Sequence, residues 1–227
     1  NKKSSNFITK LPDQFILDID NISFSYLNNP PLLNSYSLRV DHNMNLFIVG
    51  NSGCGKSTLL DIVSGLLEPD SGNVLLNSTH ISNNSESKWS DFFSYTTQTP
   101  YIFTNSILFN ITFFSDQSLV DYEHLSDCLR VCCLTAFVDA LPNGLNTLVG
   151  EGGQQISGGE RQRLGLARAL YRKTPIIIAD ECTSGLNSEL SHTVVSSLVS
   201  FCSKQTLLFV THDRSLNKYF DKILDFH

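Results

Sequence analysis

Gly50-Asn51-Ser52-Gly53-Cys54-Gly55-Lys56-Ser57 fits the spacing G-x-x-x-x-G-K-[ST] at every fixed position. Glycines in that pattern let backbone N–H groups curl around a β-phosphate, and the start of a following helix adds positive potential. Lys56 then reaches the β- and γ-phosphates and Ser57 offers its hydroxyl to Mg²⁺, with Thr58 beside it. A second chemical group closes the run Ile176-Ile177-Ile178-Ala179-Asp180-Glu181. There Asp180 ends a strand and can hold the metal through water, while Glu181, one residue on, can polarise an attacking water. A third group is Ser157-Gly158-Gly159. Ser157 can cap the helix running on through Leu164 to Leu170, which leaves a second set of free N–H groups suited to phosphate. One chain thus carries two phosphate cradles, a metal-holding aspartate and a water-activating glutamate.

The elements that must position these groups can be read from hydrophobic spacing. Asn45-Leu46-Phe47-Ile48-Val49 is apolar enough for a strand buried on both faces, followed by the glycine-rich turn and a helix-like stretch from Lys56 to Ser64. Ile176–Ala179 and Thr206–Val210 read as two more buried strands, each ending in polar residues. Residues 15–49 open with alternating apolar and polar positions, broken at Asn28-Asn29-Pro30-Pro31, which predicts strands joined by a turn and an antiparallel edge. From about residue 99 to 172 the spacing turns helical, as in Leu125, Leu129, Cys132 and Cys133, with a break at Leu141-Pro142-Asn143-Gly144. The Asn- and Ser-rich stretch Asn77 to Ser90 reads as a surface loop. The expected fold is α/β: a P-loop NTPase core with a mixed sheet, an antiparallel β edge and an inserted α-helical subdomain at about 99–172, all within one domain over 1–227.

Bulk composition limits the alternatives. At 227 residues the chain suits one well-packed domain, and 41% hydrophobic with 17% charged residues is ordinary for a globular fold. A formal net charge of -6 leaves no basic field for phosphate backbones, so nucleic acid is not an expected partner. Six cysteines show neither a C-x-x-C pair nor histidine at zinc spacing, and they read as free thiols in a reducing compartment. No apolar run approaches the roughly 20 residues needed to span a bilayer. The only methionine is Met44, so the expectation is a piece of a longer protein.

Ile156-Ser157-Gly158-Gly159-Glu160-Arg161-Gln162-Arg163, set upstream of the Asp180-Glu181 strand, resembles the signature sequence of ABC ATPases, usually written L-S-G-G-Q. The resemblance covers nearly the whole chain. It implies that Tyr26 stacks on adenine, the alternative being a core tyrosine on an edge strand. It implies that Gln98, in Tyr95-Thr96-Thr97-Gln98-Thr99-Pro100, contacts Mg²⁺ and links the nucleotide site to a transmembrane part, where otherwise it would be a surface glutamine. His212 stands where the family's switch histidine meets the γ-phosphate, after a core strand at the end where ligands of α/β sheets bind. The implied cofactors are ATP and Mg²⁺. Their binding set is Tyr26, Asn51, Ser52, Gly53, Cys54, Gly55, Lys56, Ser57, Thr58, Gln98, Ser157, Gly158 and Gly159, with Ser57, Gln98 and Asp180 at the metal and Glu181, His212 and Lys56 catalytic.

Two segments resemble exporters in particular. These are Pro100-Tyr101-Ile102-Phe103 through Ser106-Ile107-Leu108-Phe109-Asn110-Ile111, and the loop Leu141 to Gly153 that in exporters touches the coupling helices. Four positions depart from the family: Ile156 and Glu160 replace Leu and Gln of the signature, Gly152 stands where exporters commonly have Arg, and Asn187 replaces the D-loop aspartate. The implied function is the ATP-hydrolysing motor of an exporter, held to the cytoplasmic side of a membrane through a transmembrane domain preceding Asn1. It would work by head-to-tail pairing with a second nucleotide-binding domain, alike or different. An importer subunit and a soluble ATP-dependent switch remain the alternatives. A GTPase is poorly supported, because Asn217-Lys218-Tyr219-Phe220 lacks the aspartate of N-K-x-D.

Overall fold

A computed structural model describes residues 14–27, 29–80, 89–150 and 156–226. Its centre is a parallel sheet whose strands are β3 (Asn45–Gly50), β6 (Phe93–Thr96), β7 (Ile176–Asp180), β8 (Thr206–Val210) and β9 (Lys222–Phe226), in the order β6-β7-β8-β3-β9. Every residue of β7 and β8 is buried, as parallel strands covered on both faces require. Side chains alternate across this sheet. Phe47, Val49, Ile177, Ala179, Leu207 and Phe209 enter one apolar cluster, while Leu46, Ile48, Ile176, Ile178, Leu208 and Val210 enter another.

The second cluster is closed by α1 (Lys56–Val63) and by a separate antiparallel sheet. That sheet joins β1 (Ile16–Phe24), β2 (Leu33–Asp41), β4 (Ser71–Leu76) and β5 (Thr79–His80) in the order β2-β1-β4-β5. The antiparallel part expected at an edge thus forms a sheet of its own, sharing an apolar cluster with the parallel one and α1. β5 also falls inside the stretch read as a surface loop: a turn at Asn77-Ser78, both with positive φ, folds it back on β4. Residues 81–88 of that stretch lie outside the described residues.

The first cluster is closed by helices. Between β6 and β7 in chain order come α2 (Ile107–Thr112), α3 (Tyr122–Val131), α4 (Thr135–Asp139) and α5 (Gly158–Tyr171), and α6 (Ser188–Phe201) follows β7. α5 starts from a complete capping box. Ser157 Oγ accepts from Glu160 N at 3.3 Å and Glu160 Oε2 accepts from Ser157 N at 2.7 Å. Glu160, a departure from the family signature, therefore takes up a backbone donor at the helix start. Gly165 lets α5 lie against the segment after β6, since a Cβ there would stand 2.6 Å from Pro100 Cβ and 3.1 Å from Thr96 Oγ1. Among the described residues no helix is long and apolar enough to cross a membrane.

Candidate active site

Sheet register brings the chemical groups together. Ile48 and Asp180 both pair with Val210, so β3, β7 and β8 end level with one another. The loop after β3 carries the phosphate loop, the residue after β7 is Glu181, and two residues after β8 comes His212. A cleft of about 720 Å³ opens there, lined by Tyr26, Leu32, Gly50, Ser52, Gly53, Gly55, Lys56, Ser57, Thr58, Gln98, Asp180, Glu181 and His212. This is the C-terminal edge of a parallel sheet, where ligands of open α/β folds bind.

Within the phosphate loop, Gly53 and Gly55 take φ of 80° and 105°, values that favour glycine, and Gly55 leads directly into α1. The Lys56 side chain is buried and turned back on the loop, where Nζ donates to Gly50 O at 2.9 Å and Asn51 O at 2.7 Å. The ammonium is thus held at the loop by two of its carbonyls. Cys54 Sγ lies 3.7 Å from Nζ, behind the loop rather than on the cleft wall. Tyr26 is 47% exposed and meets the cleft, with its hydroxyl 3.1 Å from Thr58 Oγ1. It is therefore no core tyrosine.

Asp180 is 6% exposed, and its Oδ1 is buried with no hydrogen-bond partner among the described residues. Burial raises its pKa, partly offset by hydrogen bonds from Ser57 and Tyr95 and by the charge of Lys56. A buried carboxylate oxygen without a donor, next to the Ser57 hydroxyl, has the hard oxygen chemistry that suits a divalent cation. Tyr95 stands on β6 with its hydroxyl donating to Asp180 Oδ2 at 3.4 Å, and it also bonds Asp61 of α1. Sequence reasoning gave Tyr95 no role. Glu181 has φ of 50° and donates its N–H to Val210 O at 2.9 Å. Its carboxylate, with a side chain 16% exposed, accepts from His212 Nδ1 at 3.0 and 3.2 Å.

Gly158 lies elsewhere. With Arg161, Gln162, Ser184, Gly185 and residues 98–100 it borders a separate cleft of about 300 Å³. Ser157, Gly158 and Gly159 are absent from the walls of the phosphate cleft, and Ser157 and Gly158 are exposed. The structure thus keeps Ser157 and Gly158 off the cleft at Lys56, while Gln98 borders both clefts. Between them sits Gln162, which is 8% exposed and hydrogen-bonded to both sides. Its place was in the motif, but its burial was visible only as a polar residue on the apolar side of a helix, three and four residues from buried Gly165 and Leu166. Asn187 caps α6, accepting from Leu190 N at 2.9 Å, so the exchange of Asp for Asn keeps the cap.

The two remaining segments meet near α2. Buried Asn110 accepts from Phe103 N at 2.8 Å and donates to Phe103 O and Ser106 O at 3.0 Å. Ile107 N donates to Thr147 O and Val149 N to Asn105 O, which pins the loop after α4 to the start of α2. Residues 151–155, including Gly152, lie outside the described residues.

A family model described as ABC transporter matches residues 33–184. The mycobactin import ATP-binding/permease protein IrtB of Mycobacterium tuberculosis is 34% identical over 209 residues, 92% of this chain and 36% of its own length. The ATP-dependent lipid A-core flippase of Haemophilus influenzae is 32% identical over 214 residues, 94% of this chain and 36% of its own. The solved structure of a bacterial Atm1-family ABC exporter with ATP bound superposes with a TM-score of 0.89 at 26% identity, covering 98% of this chain and 39% of that one. The chain spans a little over a third of the length of these relatives.

Proposed function

The chain belongs to the ABC transporter family as an ATP-binding ATPase domain, and from that premise we propose that it is the motor of an exporter, in which ATP hydrolysis in the 720 Å³ cleft drives a membrane part. The observation that carries the reading is the meeting of Lys56, Ser57, Gln98, Asp180, Glu181 and His212 on that one cleft while Ser157 and Gly158 lie off it. A chain built so needs a second copy or a similar domain to cover the nucleotide, each signature facing the partner's γ-phosphate.

In that arrangement Tyr26 stacks on the adenine, and the amides from Asn51 to Thr58 with the Lys56 ammonium hold the β- and γ-phosphates. Mg²⁺, held by Ser57 and Asp180 with Gln98 beside it, would offset charge on the β- and γ-oxygens. Glu181 orients the water and takes its proton as the oxygen attacks phosphorus, and the ADP oxygen leaves opposite. His212 fixes the Glu181 carboxylate and meets the γ-phosphate. The membrane domain, expected to precede Asn1, docks near the segments around Phe103 and Leu148, and the motor sits on the cytoplasmic face. Fused ATP-binding/permease relatives support such a partner. A second reading, uptake rather than export by the same motor, is favoured by the mycobactin import protein of Mycobacterium tuberculosis among the relatives.

Phosphate release from Mg-ATP, followed over a wide dilution series, tests the motor. Activity per molecule should rise with concentration before levelling. Flat activity from a demonstrated monomer would contradict the shared site, and no release at any concentration would end the ATPase reading.

A further inference from the structure

We propose that Gln162 is a positioning residue for hydrolysis, its carboxamide holding the main chain of Gln98 and Glu181 in one arrangement with the Ser184-Gly185 turn and α5. The inference rests on reading the cleft as an ATPase site. Gln162 Nε2 donates to Ser184 Oγ at 2.9 Å and Gln98 O at 3.1 Å, with Glu181 O at 3.4 Å, while Oε1 accepts from Gly185 N at 2.8 Å. A carboxamide has two N–H hydrogens and one carbonyl, so this one is fully used. Removing its donors would cut the tie between the segment at Gln98 and the turn from Glu181 to Ser184.

Glu181 is where the consequence falls. Its backbone is left-handed, a conformation that L residues hold only when their surroundings impose it. On one side the restraint is the bond from Glu181 N to Val210 O, and on the other Glu181 O accepts from Ser184 N at 3.2 Å and faces Gln162. Glycines leave room for this grip and no more. A Cβ on Gly185 would stand 2.8 Å from Gln162 Oε1, and one on Gly159 would stand 2.9 Å from Leu186 Cδ2. The helix that holds Gln162 begins at Ser157 and Gly158, which in the proposed dimer serve the partner's nucleotide. One amide therefore joins the parts that serve the chain's own ATP to the parts that serve the other, and a shift of α5 on the partner's phosphate is felt at the water-activating carboxylate.

Gln162→Glu keeps the shape and the acceptor and removes both donors. Steady-state ATPase kinetics, equilibrium binding of a fluorescent ATP analogue and thermal unfolding are measured on the same preparations. The expected result is a kcat lowered roughly tenfold or more with KM and nucleotide affinity within about twofold of wild type, the pattern of a lost transition-state arrangement. Adding Ser184→Ala should cost less than the product of the single effects, because both remove one contact. An unchanged kcat, or a raised KM with kcat intact, overturns the inference while leaving the ATPase reading in place. A wild type that releases no phosphate overturns both. If Gln162→Glu shows no cooperative unfolding, Ser184→Ala alone decides, since it removes only a hydroxyl from an exposed turn: kcat equal to wild type overturns the proposal, and a kcat lowered at constant KM supports it.

Discussion

His212 Nδ1 stands 3.0 Å from one oxygen of Glu181 and 3.2 Å from the other. The two residues follow neighbouring strands, β7 and β8, and the imidazole is largely exposed while the carboxylate is not. The ring thus covers the outer face of the group that would activate water. His212→Ala should lower kcat on the order of a hundredfold, within the range for a positioned acid–base group, and leave ATP affinity nearly intact. Paired kcat and binding measurements check it, and a loss confined to affinity would assign His212 to binding alone.

Lys56 donates to two carbonyls of the loop, Gly50 O and Asn51 O, which holds its charge at the loop. Lys56→Ala should weaken ATP binding roughly tenfold to a hundredfold, the scale of a charge-assisted hydrogen bond, with the fold retained. Calorimetric titration with ATP measures this, and unchanged affinity would sink the phosphate-loop assignment. Tyr26→Ala should weaken ATP and GTP alike by about 1 kcal/mol, since an aromatic face does not tell purines apart.

Much of this was legible in the sequence, and the gaps have physical causes. β3, β7 and β8 are continuous apolar runs bounded by polar residues, which only a strand covered on both faces needs. β6 and β9 escaped notice. Phe93-Ser94-Tyr95-Thr96 is four residues with three hydroxyls, and β9 is an edge strand with exposed Lys222, Ile223 and Asp225. Spacing motifs show which residues bear on phosphate, but the hydrogen bonds of Gln162 and Tyr95 join segments 64 and 85 residues apart. No local pattern encodes contacts at that range.

Gly165 marks where α5 touches the segment after β6. Gly165→Ala would improve helix propensity by up to about 1 kcal/mol yet force Pro100 aside, and overpacking of this kind costs about 1–3 kcal/mol. A lowered midpoint of thermal unfolding is expected, and a raised one would mean that Pro100 yields freely.

Burial pushes the thiols of Cys128, Cys182 and Cys202 up to about 12. In the unfolded chain a thiol ionises near pH 8.5. Between the two values the folded state keeps protons that the unfolded state has lost, so stability is full below about pH 8.5 and falls as pH rises. The urea midpoint should drop between pH 8 and pH 10.5, and Cys202→Ala should flatten that drop. A midpoint independent of pH would show that these thiols titrate alike in both states.

The proposed composite site makes the sharpest demand on Glu181. Glu181→Gln keeps the side-chain shape and removes the charge, so ATP and Mg²⁺ should still bind through Lys56, Ser57 and Asp180 while hydrolysis nearly stops. A closed dimer then accumulates, and size-exclusion chromatography with Mg-ATP should show the shift from monomer. The signature of the opposite chain must be part of that dimer. Ser157→Arg would test it but would also remove the cap on α5, worth about 1 kcal/mol. Gly158 is the cleaner probe, because nothing stands within 4 Å of a Cβ built there and its backbone lies outside the left-handed region. Gly158→Arg in the Glu181→Gln background should leave monomer folding and ATP binding unchanged and abolish the dimer by filling the place of the partner's γ-phosphate. If the doubly substituted chain still dimerises on ATP, the two cradles do not share a nucleotide. If Glu181→Gln hydrolyses ATP at the wild-type rate, Glu181 is not the catalytic carboxylate, whatever the dimer does.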